Sequence, residues 1–460
     1  MKAKKEQIPK ISVILTAHNY AQFLKQAIDS VLRQTCQDFE LIVIDDASVD
    51  HTREVLSGYS SNSQIRILYL GGVGLAAACN AGIKESKGKY IIRLDADDYF
   101  DENILLVASS ILDAKPDVHL VYSDYYRVDE KGAIIDHYKL MKSNDELELL
   151  DRAPLGAGLM YRRLCYDEIG GYNEKLKFQE DYDFWVRFIH RFKVYNVRLP
   201  LMYYRKHDGS MSTNIGHRLI ARRYVKHDFI DKNVTNDKKI AGFIRESVFF
   251  NKNKIALKEI NGYPLIYYSI NALKGCGYIS DVFISTDDSE VERIAQSFGA
   301  KSLGLHSKAL ASPSITRGEV VDYHLKELNK NGLPTPDILA TVSAQCPLIK
   351  PHHITEAIDT MLMHNYDSVI SVMEHYDFYW RPGARGLIPF GFDRKLMKED
   401  SDTLYLETGG IRVVKTNNLL GNNWLGNSTG FIELAPKETI SVDKDEFSLW
   451  LVSQIMKNEH

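Results

Sequence analysis

Short apolar runs alternate with segments of helical spacing along the first hundred residues. Ile11 to Leu15 is such a run, and Tyr20 to Gln34 follows with Phe23, Leu24, Ile28, Val31 and Leu32 at helical intervals. Phe39 to Ile44, Ile65 to Leu70 and Tyr90 to Leu94 repeat the run, and His51 to Tyr59 and Leu75 to Lys84 read as helices between them. Strands alternating with helices in this way predict βαβ units and a parallel sheet. The rhythm restarts at Lys239 to Ile244. Helices are predicted over Pro264 to Ala272, Ser289 to Phe298 and His353 to Met363. Strands are predicted over Val282 to Ser285, Ile338 to Val342 and Ser368 to Val372. The expected fold class is α/β, with two domains, each a mostly parallel sheet flanked by helices. The first domain is expected over residues 8–213 and the second over 239–460, a size that suits one domain.

Residues 214–238 read as a helical, basic linker. Arg218, Arg222 and Lys226 lie four apart and share a helix face, with Arg223 beside them. One reading is a solvated helix. The other is a basic patch that meets anionic lipid or a lipid-linked acceptor, a peripheral membrane contact.

Two predicted strands end in acid, at Asp45-Asp46 and at Asp95-Ala96-Asp97-Asp98. Carboxylates that dense repel one another and stay ionised together only in water or around a cation. In a parallel sheet both ends lie on one edge, where open α/β sheets bind ligands. An Asp at the first end can accept hydrogen bonds from a nucleobase or ribose. The second cluster can hold a cation against a diphosphate. Asp45 is expected to cap its turn, a position Asp favours.

Composition narrows the classes. The 460 residues, 44% hydrophobic and 26% charged, are ordinary globular material. A net charge of −4 argues against a nucleic-acid binder. No apolar run approaches the roughly 18 residues of a spanning helix, and the polar, basic stretch Met1 to Lys10 is not a secretory signal. Cys36, Cys79, Cys165, Cys276 and Cys346 are scattered, without a CxxC pair, which suits a reduced cytoplasmic chain rather than a zinc site. Attachment at the inner face of the cell membrane is left open.

Six stretches carry a resemblance. They are Val13-Ile-Leu-Thr-Ala-His-Asn19, Val43-Ile-Asp-Asp-Ala-Ser48, Ala78-Cys-Asn-Ala-Gly82, Leu94-Asp-Ala-Asp-Asp98, Gln179-Glu-Asp-Tyr-Asp-Phe-Trp185 and Tyr204-Arg-Lys-His207. In this order they resemble a family 2 glycosyltransferase of GT-A fold, over residues 11–213. The resemblance implies inverting transfer of a sugar from a nucleotide-sugar donor, assisted by Mg²⁺ or Mn²⁺. It implies that Thr16, His18 and Asp46 contact the donor's base and ribose. Asp95, Asp97 and Asp98 would hold ribose, diphosphate and metal, and His207 would face the diphosphate or metal. Asp181, beside Glu180, would be the general base. Cys79 stands where the family often has Arg. Leu155 to Met160, with Gly156 and Gly158, would face the acceptor, a glycan or lipid-linked molecule in bacterial surface polysaccharide synthesis.

The second half resembles the cytidylyltransferases that make CMP-sialic acid and CMP-Kdo. The matching stretches include Leu257-Lys-Glu-Ile-Asn-Gly-Tyr-Pro-Leu-Ile266, Val282-Phe-Ile-Ser-Thr-Asp-Asp288, Ala344-Gln-Cys-Pro-Leu348 and Ser441-Val-Asp-Lys-Asp445. Asp443 and Asp445 match carboxylates that would hold Mg²⁺ against CTP. The family's glycine-rich phosphate loop is absent: Ile244 to Lys254 has no glycine, and Glu246, Val248, Phe249 and Phe250 add repulsion and bulk. Arg245, Lys252 and Lys254 would compensate in part. Two readings of this half follow. It either joins CTP to a 2-keto acidic sugar, or binds a nucleotide, sugar or partner without catalysis.

Overall fold

The computed structural model describes residues 8–140, 155–207, 215–246, 254–307, 310, 317–375, 379–383, 386–390, 404–419, 423–442 and 446–458. The chain divides into two compact units, residues 1–222 and 223–460. The division falls inside a helix, Ile215–Asn233.

In the first unit, β1 (Ile11–Ala17), β2 (Phe39–Asp46), β3 (Ile65–Leu70) and β4 (Tyr90–Asp95) are parallel, in the order β3-β2-β1-β4. Alternate residues of a strand point to opposite faces. Ile11, Val13 and Leu15 therefore join Leu24, Ile28 and Val31 of the helix Ala21–Leu32 in one core. Ile14, Ile42 and Ile44 join Ala78, Cys79 and Ile83 of the helix Leu75–Glu85 in another. Burial on both faces explains why these strands are continuous apolar runs. Each fully buried aliphatic side chain contributes about 1.5–3 kcal/mol, so the strand ends sit on a stiff base.

Past β4 the sheet becomes mixed. β5 (Tyr99–Phe100), β6 (Leu120–Val128), β7 (Ile134–Tyr138), β8 (Met160–Arg162) and β9 (Val194–Arg205) complete nine strands among the described residues. β8 is antiparallel to β4 and β6, and β5 to β9, while β6 and β9 are parallel. β9 thereby brings the stretch around Arg205 to the loop that follows β4.

The second unit opens with β10 (Ile240–Glu246). Two short strands, β11 (Glu259–Ile260) and β12 (Tyr263–Pro264), form a small hairpin. β13 (Ile279–Thr286), β14 (Lys301–Ser302) and β15 (Ile338–Val342) extend the parallel part around β10. β16 (Ser368–His375) precedes the hairpin β17 (Tyr379–Gly383) and β18 (Gly386–Phe390). β19 (Leu404–Lys415) is antiparallel to β15 and β16, and β20 (Thr429–Glu433) closes the order β14-β13-β10-β15-β19-β16-β20. Both units are thus α/β, each with a parallel half-sheet that changes direction on one side.

The basic face of the helix Ile215–Asn233 differs from both expectations. In the first unit, Arg222 Nε donates to Gln179 Oε1 at 2.7 Å, and its guanidinium lies over the Tyr182 ring at 4.8 Å. In the second, Arg223 donates to Glu356 at 3.1 Å. Lys226 is only 3% exposed, with Glu356 at 3.6 Å and Thr360 at 3.2 Å. These three cations are spent on internal partners, because buried charges must be paired. Among the described residues no helix is long and apolar enough to cross a membrane.

Candidate active site

β1, β2 and β4 end side by side. Thr16 lies between Ile44 and Asp95 in register, and its hydroxyl donates to Asp95 Oδ1 at 3.4 Å. Asp46 ends β2 and turns its carboxylate to the next loop. Its Oδ1 accepts the N–H groups of Gly72 and Val73 at 2.9 and 2.8 Å, and its Oδ2 accepts that of Gly74 at 2.8 Å. Gly74 has φ 92°, a conformation glycine adopts without strain. Asp46 therefore shapes the loop beside the strand ends. His18 Nδ1 lies 2.6 Å from the Asp46 carbonyl. A carbonyl only accepts, so Nδ1 carries the proton and Nε2 is left to accept from Asn19 at 3.0 Å. The His18 ring is exposed. Asp45 is buried and accepts Ser48 N–H at 2.9 Å, the expected turn cap.

The carboxylates after β4 have different partners. Arg93 grips Asp95 as a fork, Nε to Oδ1 at 2.7 Å and a terminal nitrogen to Oδ2 at 3.0 Å. Asp98 is 3% exposed and accepts the Arg205 N–H at 2.9 Å. Burial, then Asp97 and Asp95, hold its carboxyl well above the usual range. Asp98, expected to face a metal, ties β9 to this loop through Oδ1. Asp97 Oδ2 lies 3.1 Å from His207 Nε2. Burial and Asp95 raise the Asp97 carboxyl, and His207 opposes the rise. The His207 ring packs edge-on against Tyr20 at 5.7 Å and against Phe23 at 5.4 Å. Burial, then Asp97 and Asp95, push the Tyr20 phenol up to about 12. As it stands Nε2–H of His207 donates to Asp97 Oδ2; once that proton is lost, the imidazole and the carboxylate form a donor set that fits a divalent cation.

Arg205 was given no role by the sequence, although it lies within the Tyr204 to His207 motif. It is 1% exposed and donates to the carbonyls of Asp97 at 2.8 Å, Asp129 at 3.2 Å and Glu130 at 2.8 Å, and to Gln26 at 2.7 Å. A fully engaged, buried guanidinium fixes the loop that presents Asp97.

The third group is the start of the helix Glu180–Ile189. Glu180 is 5% exposed, and its Oε1 accepts from Arg93 at 3.1 Å. Burial and Asp181 push its carboxyl up to about 7, against the pull of Arg93. Asp181 is partly exposed; its Oδ1 accepts Tyr182 N–H at 2.8 Å. Gly156 passes close beside it. A Cβ there would lie 2.8 Å from Asp181 Cβ and 3.1 Å from an Arg93 nitrogen, so glycine is required. Asn80, from the Ala78 to Gly82 motif, anchors the loop that precedes this helix. Its Oδ1 accepts Tyr172 N–H at 2.9 Å and Tyr166 O–H at 2.7 Å, and its Nδ2 donates to the Tyr172 carbonyl at 2.9 Å. Thr16 thus contacts Asp95 directly and Arg93 bridges Asp95 to Glu180, while Asp97, two residues beyond Asp95, pairs with His207.

In the second unit, Arg245 and Glu246 end β10, both half-buried. Burial pushes the Glu246 carboxyl up to about 7 and lowers the Arg245 guanidinium. Lys254 is committed to Asp288 at 3.0 Å and Glu290 at 2.7 Å. Lys252, Asp443 and Asp445 lie outside the described residues. His352, His353 and Glu438 cluster in the same unit, with His352 and His353 Nε2 atoms 3.1 Å apart and His353 Nε2 3.3 Å from Glu438. His353 Nδ1 accepts the Lys350 N–H at 3.1 Å. The neutral ring then carries its proton on Nε2, which leaves that atom no lone pair for a cation.

Residues 12–164 match the family Glycosyl transferase family 2, and residues 251–407 match the family Cytidylyltransferase. The second match begins after Arg245 and stops before Asp443. An uncharacterised glycosyltransferase of Rickettsia prowazekii is 32% identical over 215 residues, which cover 45% of this chain and 66% of that protein. One of Rickettsia typhi is 30% identical over 261 residues, 53% of this chain and 81% of that protein. A hyaluronan synthase of Pasteurella multocida is 28% identical over 182 residues, 39% of this chain and 19% of that protein. The chain thus spans just under two thirds of the first relative and a fifth of the synthase. An identity of 30% across four fifths of the Rickettsia typhi protein, on top of the ordered motifs, means that this chain belongs to glycosyltransferase family 2, with a cytidylyltransferase-family domain over residues 251–407.

Proposed function

We propose that the first unit transfers a sugar, with inversion, from a nucleoside-diphosphate donor to a glycan or lipid-linked acceptor of a bacterial surface polysaccharide. One observation carries this reading. Asp95 on the donor side and Glu180, next to Asp181, share the guanidinium of Arg93, although Arg93 and Glu180 are 87 positions apart. The hyaluronan synthase among the relatives supports a polysaccharide product.

The exposed His18 ring offers a face to the nucleobase, and Thr16 and Asp95 offer hydrogen bonds to the ribose. Asp46 acts by fixing the Gly72 to Gly74 turn. Asp97 and His207 would hold Mg²⁺ or Mn²⁺, which when bound offsets the charge of the diphosphate. Asp181 takes the proton of the acceptor hydroxyl as that oxygen bonds to the anomeric carbon. The bond from that carbon to the diphosphate breaks, and its electron pair leaves with the nucleoside diphosphate.

The second unit is proposed to be a binding module rather than a second catalyst. The supporting observation is Lys254, which Asp288 and Glu290 hold in place of a phosphate. The test of the main reading is a panel of UDP-, GDP- and dTDP-sugars with Mn²⁺ and the full chain. One of them is expected to yield nucleoside diphosphate, and Asp97→Ala to abolish the yield. Neither release nor a thermal shift with any member would overturn it.

A further inference from the structure

One buried charge at this site takes no part in the steps above. Arg93 is 4% exposed, and its ring-facing neighbour is Tyr172 at 5.9 Å. It spends Nε and one terminal nitrogen on Asp95, at 2.7 and 3.0 Å, and the other terminal nitrogen on Glu180 at 3.1 Å. Its own carbonyl accepts the Gly158 N–H at 2.9 Å. We infer that Arg93 is the positioning residue that divides the roles of the Glu180–Asp181 pair, holding Glu180 as a fixed hydrogen-bond acceptor and leaving Asp181 to take the acceptor's proton. The inference rests on the glycosyl-transfer reading above.

The two acids occupy consecutive positions at one helix start, so the helix by itself does not distinguish them. Their partners do. Glu180 is buried and bound to Arg93. Asp181 is partly exposed, and its Oδ2 has no hydrogen-bond partner among the described residues. That oxygen would lie 3.2 Å from a Cβ placed on Gly156, so it faces the 155–160 segment. A buried carboxylate stripped of its cation takes up a proton. Without Arg93, Glu180 would be neutral and released from the donor edge, and the helix start would lose its link to Asp95. The planar guanidinium can grip Asp95 with two nitrogens and still reach Glu180, which a lysine ammonium cannot reproduce.

The test uses full-length Arg93→Met, Arg93→Lys, Glu180→Gln and the double variant Arg93→Met/Glu180→Gln. Urea unfolding needs no substrate. The expected result is non-additivity of at least tenfold in the unfolding constant between Arg93→Met and Glu180→Gln; additivity overturns the bridge. Turnover is then measured with a sugar nucleotide from the UDP, GDP and dTDP panel. The expected kcat falls at least 30-fold in Arg93→Met and at least tenfold in Arg93→Lys, with donor KM within threefold of wild type. Glu180→Gln should add less than threefold once Arg93 is gone. A raised KM with unchanged kcat, or an equal cost of Glu180→Gln in both backgrounds, overturns the positioning role. If wild type turns over no member of the panel while the urea coupling stands, the transfer reading fails and Arg93 is a structural bridge only.

Discussion

Each unit ends its parallel strands on one edge, yet the two edges carry different chemistry. In the first, every acid has a distinct partner: Asp46 the amides of a turn, Asp98 the Arg205 amide, Asp95 the Arg93 fork, and Asp97 the His207 ring. In the second, β10 ends in Arg245 and Glu246, and the nearby Lys254 is bound by two acids. A strand end becomes a site only when its surroundings leave particular atoms available. Asp98 and Asp46 are acidic and well placed, but Oδ1 of Asp98 and both oxygens of Asp46 accept backbone N–H groups. Asp97 and Asp181 keep a side that faces outward.

The largest effect that could break this contrast is at Asp181. Asp181→Asn keeps the shape and removes the basicity. We expect kcat for transfer to fall by about 10²–10⁴-fold, the usual range for a general base, with donor KM within threefold. Glu246→Gln in the second unit should leave transfer unchanged. A comparable loss in both variants, read by nucleoside-diphosphate release, would show that the two edges do not act separately.

How much of this was readable in the chain differs between its parts. β1 to β4 announced themselves because burial on both faces makes each of them an uninterrupted apolar run. Motif order points to Asp95, Asp97 and Glu180. For Asp98 and Asp46, sequence records the acid's presence and not the backbone amides it accepts. Arg93 lies in the Tyr90 to Leu94 run and Arg205 in the Tyr204 to His207 motif, and neither position by itself signals a role. A signal for Arg93 was available: residues i and i+2 on a strand share a face, so Arg93 had to stand beside Asp95. Arg205 could not be read in this way, since its acceptors come from carbonyls at 97, 129 and 130, which only the folded sheet brings together. The antiparallel turn of the first sheet leaves no such mark, because β8 is three residues long and carries no periodicity.

A smaller effect compares two glutamates, one in each unit, whose carboxyls are both pushed up to about 7. Burial is the main cause for both; Arg93 opposes it at Glu180 and the Ala344 amide at Glu246. An unfolded glutamate titrates near pH ~4.3. Between that pH and about 7 the folded chain holds more protons, so stability falls as pH rises through this window. Glu180→Gln and Glu246→Gln should each flatten the decline, by about 1–3 kcal/mol across it. Urea midpoints at pH 5 and pH ~8 measure this linkage. Only Glu180→Gln should also alter transfer. A variant that steepens the decline would reverse the sign assigned to its carboxyl.

The smallest expected effect concerns CTP. A phosphate loop works by presenting backbone N–H groups and uncommitted cations to the triphosphate. Here the lysine that follows the loop gives its charge to Asp288, which also caps the next helix by accepting the N–H groups of Glu290 and Val291 at 3.0 Å. Releasing Lys254 for a phosphate would leave Asp288 and Glu290 facing the same anion. Calorimetric titration of the full chain with CTP and Mg²⁺ should therefore give no Kd tighter than about 1 mM, which corresponds to about −4 kcal/mol. Lys254→Ala should leave the titration flat. A Kd below about 0.1 mM that is lost in Lys254→Ala would mean that the ion pairs exchange for the triphosphate. The second edge would then be a nucleotide site held closed by its own acids.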